Sequence, residues 1–203
     1  MINLMKSHFL VYDKFAKKYD KFLLPAEQKF LAKWRREALG LLPENAKILE
    51  IGAGTGLNFQ FYPTSRLLVA SDISRNMLLQ ASEKSKDFLL VQADAENLPF
   101  EDKYFDAAVA TLVFCSIRSP HKAFNELKRV VKKDGDIIFL EHVRPEGFLG
   151  YLFDLINFFT ERLFQDCFNR QTAKLAVEAD LEITKLSKKA FGIFNLIVCK
   201  NKD

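Results

Sequence analysis

At 203 residues, 49% hydrophobic and 28% charged, the chain has the size and composition of one domain with a buried core, and bulk disorder is excluded. Its three cysteines and three histidines are scattered and form no C-x-x-C pair, which argues against a disulfide framework and a metal centre and suits a reducing cytoplasm. The net charge of +4 gathers at the start of the chain, with nine Lys/Arg against four Asp/Glu through Gly40 and 21 against 22 beyond it.

That basic excess reads as a solvated helix face or as a patch drawn to an anionic membrane surface or an acidic substrate. No nucleic-acid-reading motif accompanies it, so no nucleic-acid partner is expected. From Met1 to about Leu24, Phe9, Leu10, Tyr12, Phe15, Ala16, Tyr19, Phe22 and Leu23 recur at helical spacing. Lys14, Lys17 and Lys18 rule out a membrane span here, and the apolar run of a signal peptide is missing. Pro25 is expected to open a second helix, Ala26 to Leu42, which Pro43-Glu44-Asn45 ends.

Ala46 to Ile51 reads as a buried strand that runs into Gly52-Ala53-Gly54-Thr55-Gly56, with a helix opening near Leu57 and ending near Pro63. Glycines let a backbone take positive φ and pass close to a ligand, and a helix start favours an anionic group. A dinucleotide fingerprint would place its last glycine where Leu57 stands, so a nicotinamide oxidoreductase is the weaker reading. Arg66 to Ser71 is a second strand ending at Asp72, about 20 residues past the first loop glycine, where a carboxylate reaches a ribose hydroxyl. Ser74 caps a helix to about Ser85. Strands follow at Phe88 to Gln92, Tyr104 to Val113 and Asp136 to Leu140, with a helix from Ser119 to Val131. This alternation predicts parallel strands with right-handed crossovers. Phe148, Tyr151, Phe153, Phe158, Phe159 and Phe164 make the next stretch aromatic, and Leu152, Leu155 and Ile156 add to its apolar surface. A helix from Gln171 to Ala179 and two strands, Glu182 to Lys188 and Ile193 to Lys200, close the chain as an antiparallel pair.

Several of these segments together resemble class I S-adenosylmethionine (SAM) methyltransferases. Leu49-Glu50-Ile51-Gly52-Ala53-Gly54-Thr55-Gly56 is similar to their first motif and Asp72 to the acid of their second. Asp94-Ala95-Glu96-Asn97-Leu98-Pro99-Phe100 with Phe105-Asp106 resembles quinone and sterol methyltransferases, and Tyr12 to Asp20 resembles their N-terminal lid. Asn58-Phe59-Gln60-Phe61-Tyr62-Pro63, Thr111 to Ser116 and Phe139-Leu140-Glu141-His142-Val143 resemble the branch of phospholipid N-methyltransferases and membrane-associated thiol methyltransferases. Asp134-Gly135 stands where those families write consecutive glycines.

The resemblance implies a Rossmann-like α/β fold: a mostly parallel seven-stranded sheet, helices on both faces and a C-terminal antiparallel strand pair. Residues 1–203 would form one domain, with 1–42 as a helical lid and 147–170 as an aromatic insertion on the substrate side. It also implies SAM as cofactor and S-adenosylhomocysteine as product. Gly52, Gly54 and Gly56 would let the loop backbone pass the methionine part, with Ala53 in the same cofactor-binding loop, and Glu50 would orient the amino group or a nearby water. Asp72 would hold the ribose hydroxyls, and Ile73 would pack on the adenine. Asp94 and Ala95 would meet the adenine edge, and Met77 and Glu96 belong to the same expected cofactor-binding set. Thr111 and Leu112 would border the transferred methyl, and Tyr19 would fold over the site. His142 either orients or deprotonates an acceptor or makes a structural hydrogen bond, and Cys115 reads as a small buried hydrophobe. The expected acceptor is a small hydrophobic or lipid-like amine, thiol or quinone-type carbon, handled in the cytoplasm or in peripheral contact with a membrane. A non-catalytic SAM-binding module stands as the alternative.

Overall fold

The computed structural model describes residues 7–148, 150, 151, 153, 154, 157, 167 and 169–203. The expectations placed on Leu152, Leu155, Ile156, Phe158, Phe159 and Phe164, and on the side chains of Phe9 and Leu10, lie outside the described residues.

Seven strands, β1 (Lys47–Ile51), β2 (Leu67–Asp72), β3 (Phe88–Gln92), β4 (Phe105–Thr111), β5 (Val131–His142), β6 (Glu182–Lys189) and β7 (Phe194–Lys200), form one sheet in the order β3-β2-β1-β4-β5-β7-β6. The first five are parallel, and β7 runs antiparallel to both β5 and β6. β1 and β4 are buried along nearly their whole length, as strands covered on both faces must be. The strand order reverses between β1 and β4, which opens a crevice beyond their carboxyl ends.

The helices with described bounds are α1 (Ser7–Ala26), α2 (Ala32–Leu39), α3 (Arg75–Ser82), α4 (Pro120–Val130) and α5 (Thr172–Glu178). One core layer joins Phe105, Phe114, Phe124 and Phe139 with Leu127 of α4 and Ala176 of α5. The other joins Ile48, Val109, Ile138 and Leu140 with Ala38 and Leu39 of α2. Helices therefore cover both faces.

Two helix expectations are corrected. Pro25 does not open a second helix; it lies inside α1, which continues through a π turn, Glu27–Leu31, into α2. Proline removes one N–H and crowds the carbonyl four residues back, and a widened turn is a way to absorb that without ending the helix. After the glycine loop, the expected helix is a single 3-10 turn, Phe59–Phe61. Here side chains hold the backbone instead. Phe59 stacks on Phe88 with ring centroids 3.7 Å apart, and Asn58 turns inward to buried partners. Strand β5 is also longer than the expected Asp136 to Leu140, because residues from Val131 pair with β4 across a bulge.

Candidate functional site

A cavity of about 400 Å³ lies at the reversal point, bounded by the glycine loop, the end of β2, the segment after β3, the loop after β4 and the inner face of α1. Twelve of the expected cofactor residues, Tyr19, Gly52, Ala53, Gly54, Asp72, Ile73, Met77, Asp94, Ala95, Glu96, Thr111 and Leu112, line it. Gly56, Glu50 and His142 do not.

The glycine loop needs its glycines for two separate reasons. Gly52 has φ +62°, and a Cβ there would stand 2.3 Å from Val113 Cγ2. Gly56 has φ +78°, and a Cβ would meet the Phe59 ring at 2.7 Å. Gly54 faces open space, with nothing within 4 Å of where its Cβ would be. This is bare backbone offered to a ligand.

Asp72 ties this loop to β2. Its Oδ2 accepts from Gly54 N at 2.8 Å and its Oδ1 from Ser74 N at 2.8 Å. Burial raises its pKa, and those two amides pull it back. A carboxylate has about four acceptor positions, so each oxygen keeps one for a hydroxyl in the cleft. Asp94 sits exposed at the rim and caps Glu96 N at 2.9 Å, while Glu96 Oε1 accepts from Ser119 N at 2.8 Å. The segment after β3 is thus fastened to the start of α4.

Glu50 lies beneath the cleft rather than in its wall. It is 1% exposed and accepts from Asn58 Nδ2 at 2.6 Å and Tyr62 OH at 2.8 Å. Its place is to anchor residues 58–62. Burial pushes its carboxyl up to about 7, against the pull of Tyr62, Asn58 and Arg35. The folded chain therefore keeps this proton where the unfolded chain has lost it, so stability falls as pH rises from about 4.5 to about 7. Glu50→Gln, with the Tyr62 hydroxyl turning from donor to acceptor, should gain on the wild type across that window by on the order of 2–3 kcal/mol. Denaturant titrations at pH 4.5 and 7.5 check this; a difference that does not grow with pH sinks it.

His142 lies outside the cavity lining, so its position does not support the acceptor role. It pairs with Phe194 across β5 and β7 and meets that ring edge-on at 6.5 Å. Side chains alternate along a strand, so His142 shares the face of Leu140, towards Phe194 and Trp34, away from the cavity wall.

Three contributors have no individual role in the sequence reading, two of them within the lid stretch Tyr12 to Asp20. Arg35 of α2 is 4% exposed and lines the cavity. It donates to Asn58 Oδ1 at 2.9 Å and Thr111 Oγ1 at 2.8 Å, and pairs with Glu27 at 2.9 Å. The available signal was a cation among the buried positions Leu31, Ala38 and Leu39. The others are Asp13 and Asp20, which clasp α1 over the cleft. Asp13 accepts from Ser74 Oγ at 2.8 Å and Asn76 N at 3.0 Å. Asp20 accepts from Thr55 Oγ1 and pairs with Lys84 at 2.6 Å. The repeated Tyr-Asp of Tyr12-Asp13 and Tyr19-Asp20 marks this face: seven residues is about two turns, and both tyrosines line the cavity.

The residues present fit SAM. The lining carries three carboxylates, Asp72, Asp94 and Glu96, and three cations, buried Arg35 and exposed Arg118 and Lys122, a mixed set that suits a ligand bearing both cationic groups and a carboxylate. Bare loop backbone faces the same space, and the volume lies within the range of small-molecule sites. The strand order is that of the class I SAM-dependent methyltransferase fold. Residues 49–139 match the methyltransferase domain family.

Among its relatives, the chain is 36% identical to a thiol S-methyltransferase of Mus musculus, over 51% of this chain and 46% of that protein. It is 32% identical to a phosphatidylethanolamine N-methyltransferase of Cereibacter sphaeroides, over 56% of this chain and 59% of that one. The chain thus spans about half the length of these curated relatives. A SAM-dependent methyltransferase of Thermotoga maritima, described as a possible histamine N-methyltransferase, superposes with a TM-score of 0.75 at 23% identity, covering 96% of this chain and all of that one. That likeness is one of fold.

Proposed function

We propose that the protein transfers a methyl group from SAM to the thiol or amine of a small hydrophobic or lipid-like acceptor. The observation that carries this is the shared cavity: the Asp72–Gly54 junction and the end of β4, Thr111 to Val113, face one space. SAM when bound supplies a methyl activated by its sulfonium, ready for direct displacement.

The residues then have positional work. Asp72 and the Gly54 backbone would hold the ribose side, and Asp94 would meet the adenine amine. Arg35, bonded to Thr111, would pair with the methionine carboxylate. Tyr12 and Tyr19, clasped down with α1, exclude water and align the acceptor, which is the main demand of a displacement. Leu112, Val113 and Ile117 give the acceptor side an apolar lining.

The outer face of α1 supports a membrane-borne acceptor. Phe22 is 70% exposed and Leu24 49%, beside exposed Lys14, Lys17, Lys18 and Lys21, a pattern that lies well in an anionic interface. No helix among the described residues is long and apolar enough to cross a membrane.

The test is incubation with methyl-labelled SAM and, separately, a long-chain alkyl thiol, phosphatidylethanolamine vesicles and a demethylated naphthoquinol. Label is expected on the thiol or the amine. Label on none of the three, with SAM binding intact, would favour a SAM-binding module without transfer.

A further inference from the structure

Glu141 follows Leu140 in β5, is fully buried, and points away from His142, towards the loop after β4. Its Oε1 accepts from two consecutive amides of that loop, Val113 N at 3.0 Å and Phe114 N at 3.2 Å. Its Oε2 has no hydrogen-bond partner among the described residues. A buried carboxyl with half its acceptor capacity unused is costly, and such costs persist where the fold needs the group.

The loop it holds is constrained. Leu112 has φ +58°, a region that side-chain-bearing residues seldom occupy, and its N–H donates to Leu140 O at 2.9 Å. The next residue, Val113, seats its side chain against Gly52, so closely that a Cβ on Gly52 would overlap it. One carboxyl therefore fixes the backbone that carries Leu112 and Val113 into the cavity wall, and through Val113 it fixes the glycine loop.

We propose that Glu141 is a positioning residue that locks the loop after β4 and the glycine loop into a single cofactor-binding unit without touching the cofactor. The proposal rests on reading the cleft as a SAM site. Burial pushes this carboxyl up to about 8, opposed by the Val113 and Phe114 amides, Arg170 and Arg35. Arg170 bonds the same loop through Ile117 O, and Asn195 stands opposite Glu141 on β7. Near neutral pH the group therefore works as a neutral acid, with one carbonyl oxygen for both amides. Glutamine copies that form.

The experiment is calorimetric titration of S-adenosylhomocysteine into wild type, Glu141→Gln, Glu141→Ala and Val113→Ala at pH 7, with a thermal melt of each. Glu141→Gln should bind within about threefold of wild type. Glu141→Ala should bind about tenfold weaker or worse, the loss expected for two backbone hydrogen bonds left unmade. Val113→Ala, which leaves the buried acid in place, should lose about fivefold because the seat on Gly52 is gone. A lower melting temperature for Glu141→Ala with unchanged affinity would make the role merely structural and overturn the proposal. So would a Gln variant as weak as Ala. If Glu141→Ala does not fold, Val113→Ala and Glu141→Gln decide, and wild-type affinity in Val113→Ala overturns the proposal. Wild type that binds no S-adenosylhomocysteine sinks the cofactor reading itself, and is told apart because it appears before any variant is made.

Discussion

Asp72→Ala is expected to bind S-adenosylhomocysteine about 100-fold more weakly than wild type while still unfolding cooperatively. Two effects add in the same direction. The variant removes a charged acceptor proposed to hold the ribose hydroxyls, a loss of about 1.5–3 kcal/mol per hydrogen bond. It also releases Gly54 N and Ser74 N, both now held at 2.8 Å, so the loop and the start of α3 lose their common tie. At about 1.4 kcal/mol per tenfold, the pair accounts for two decades. Asp72→Asn keeps the shape but points an amide at one of the two donors, and should fall between. Calorimetry gives the affinity and a thermal melt guards against unfolding. An alanine variant with wild-type affinity would remove Asp72 from the cofactor site.

Arg35→Met should be the most destabilising single change in the lid region, by about 3–5 kcal/mol, because it breaks a buried ion pair by removing one partner. The stem is kept, but Glu27 loses its counter-charge and Asn58 Oδ1 and Thr111 Oγ1 lose their donor. For a chain of this size that corresponds to a fall of roughly 10 °C in Tm. The double variant Arg35→Met with Glu27→Gln should recover part of the loss, since the stranded charge is gone. Additive effects in that cycle would show that the two side chains are not coupled. The same arginine variant should bind S-adenosylhomocysteine more weakly than its stability loss explains, because Arg35 faces the cavity.

Much of the sheet was legible. β3 falls at its expected bounds, and β2 and β4 each end at or near a residue that lines the cleft, Asp72 and Thr111. Buried parallel strands write themselves as unbroken apolar runs, and ligand groups collect where those runs stop. Local pattern failed where contacts distant in sequence outweighed it. Pro25 reads as a helix start, yet α1 carries on through it, clasped by Asp13 and Asp20 to residues far along the chain. Residues 57–62 read as a helix, but the Phe59–Phe88 stack and the Asn58 bonds to Glu50 and Arg35 set their course.

The sequence alone determined the strand order's raw material and the chemistry at each strand's end: three glycines after β1, an acid closing β2, acids after β3, and a threonine closing β4. These depend on residue type and spacing, which the chain carries openly. Only the tertiary structure decided which of those groups face the cleft. It put Glu50 beneath the loop, turned His142 to the Phe194 side of the sheet, and brought Arg35 to the Thr111 hydroxyl and Glu141 to the amides of Val113 and Phe114. Burial and strand-face choice are properties of the packed sheet, and no window of sequence encodes which neighbour will take up a buried charge.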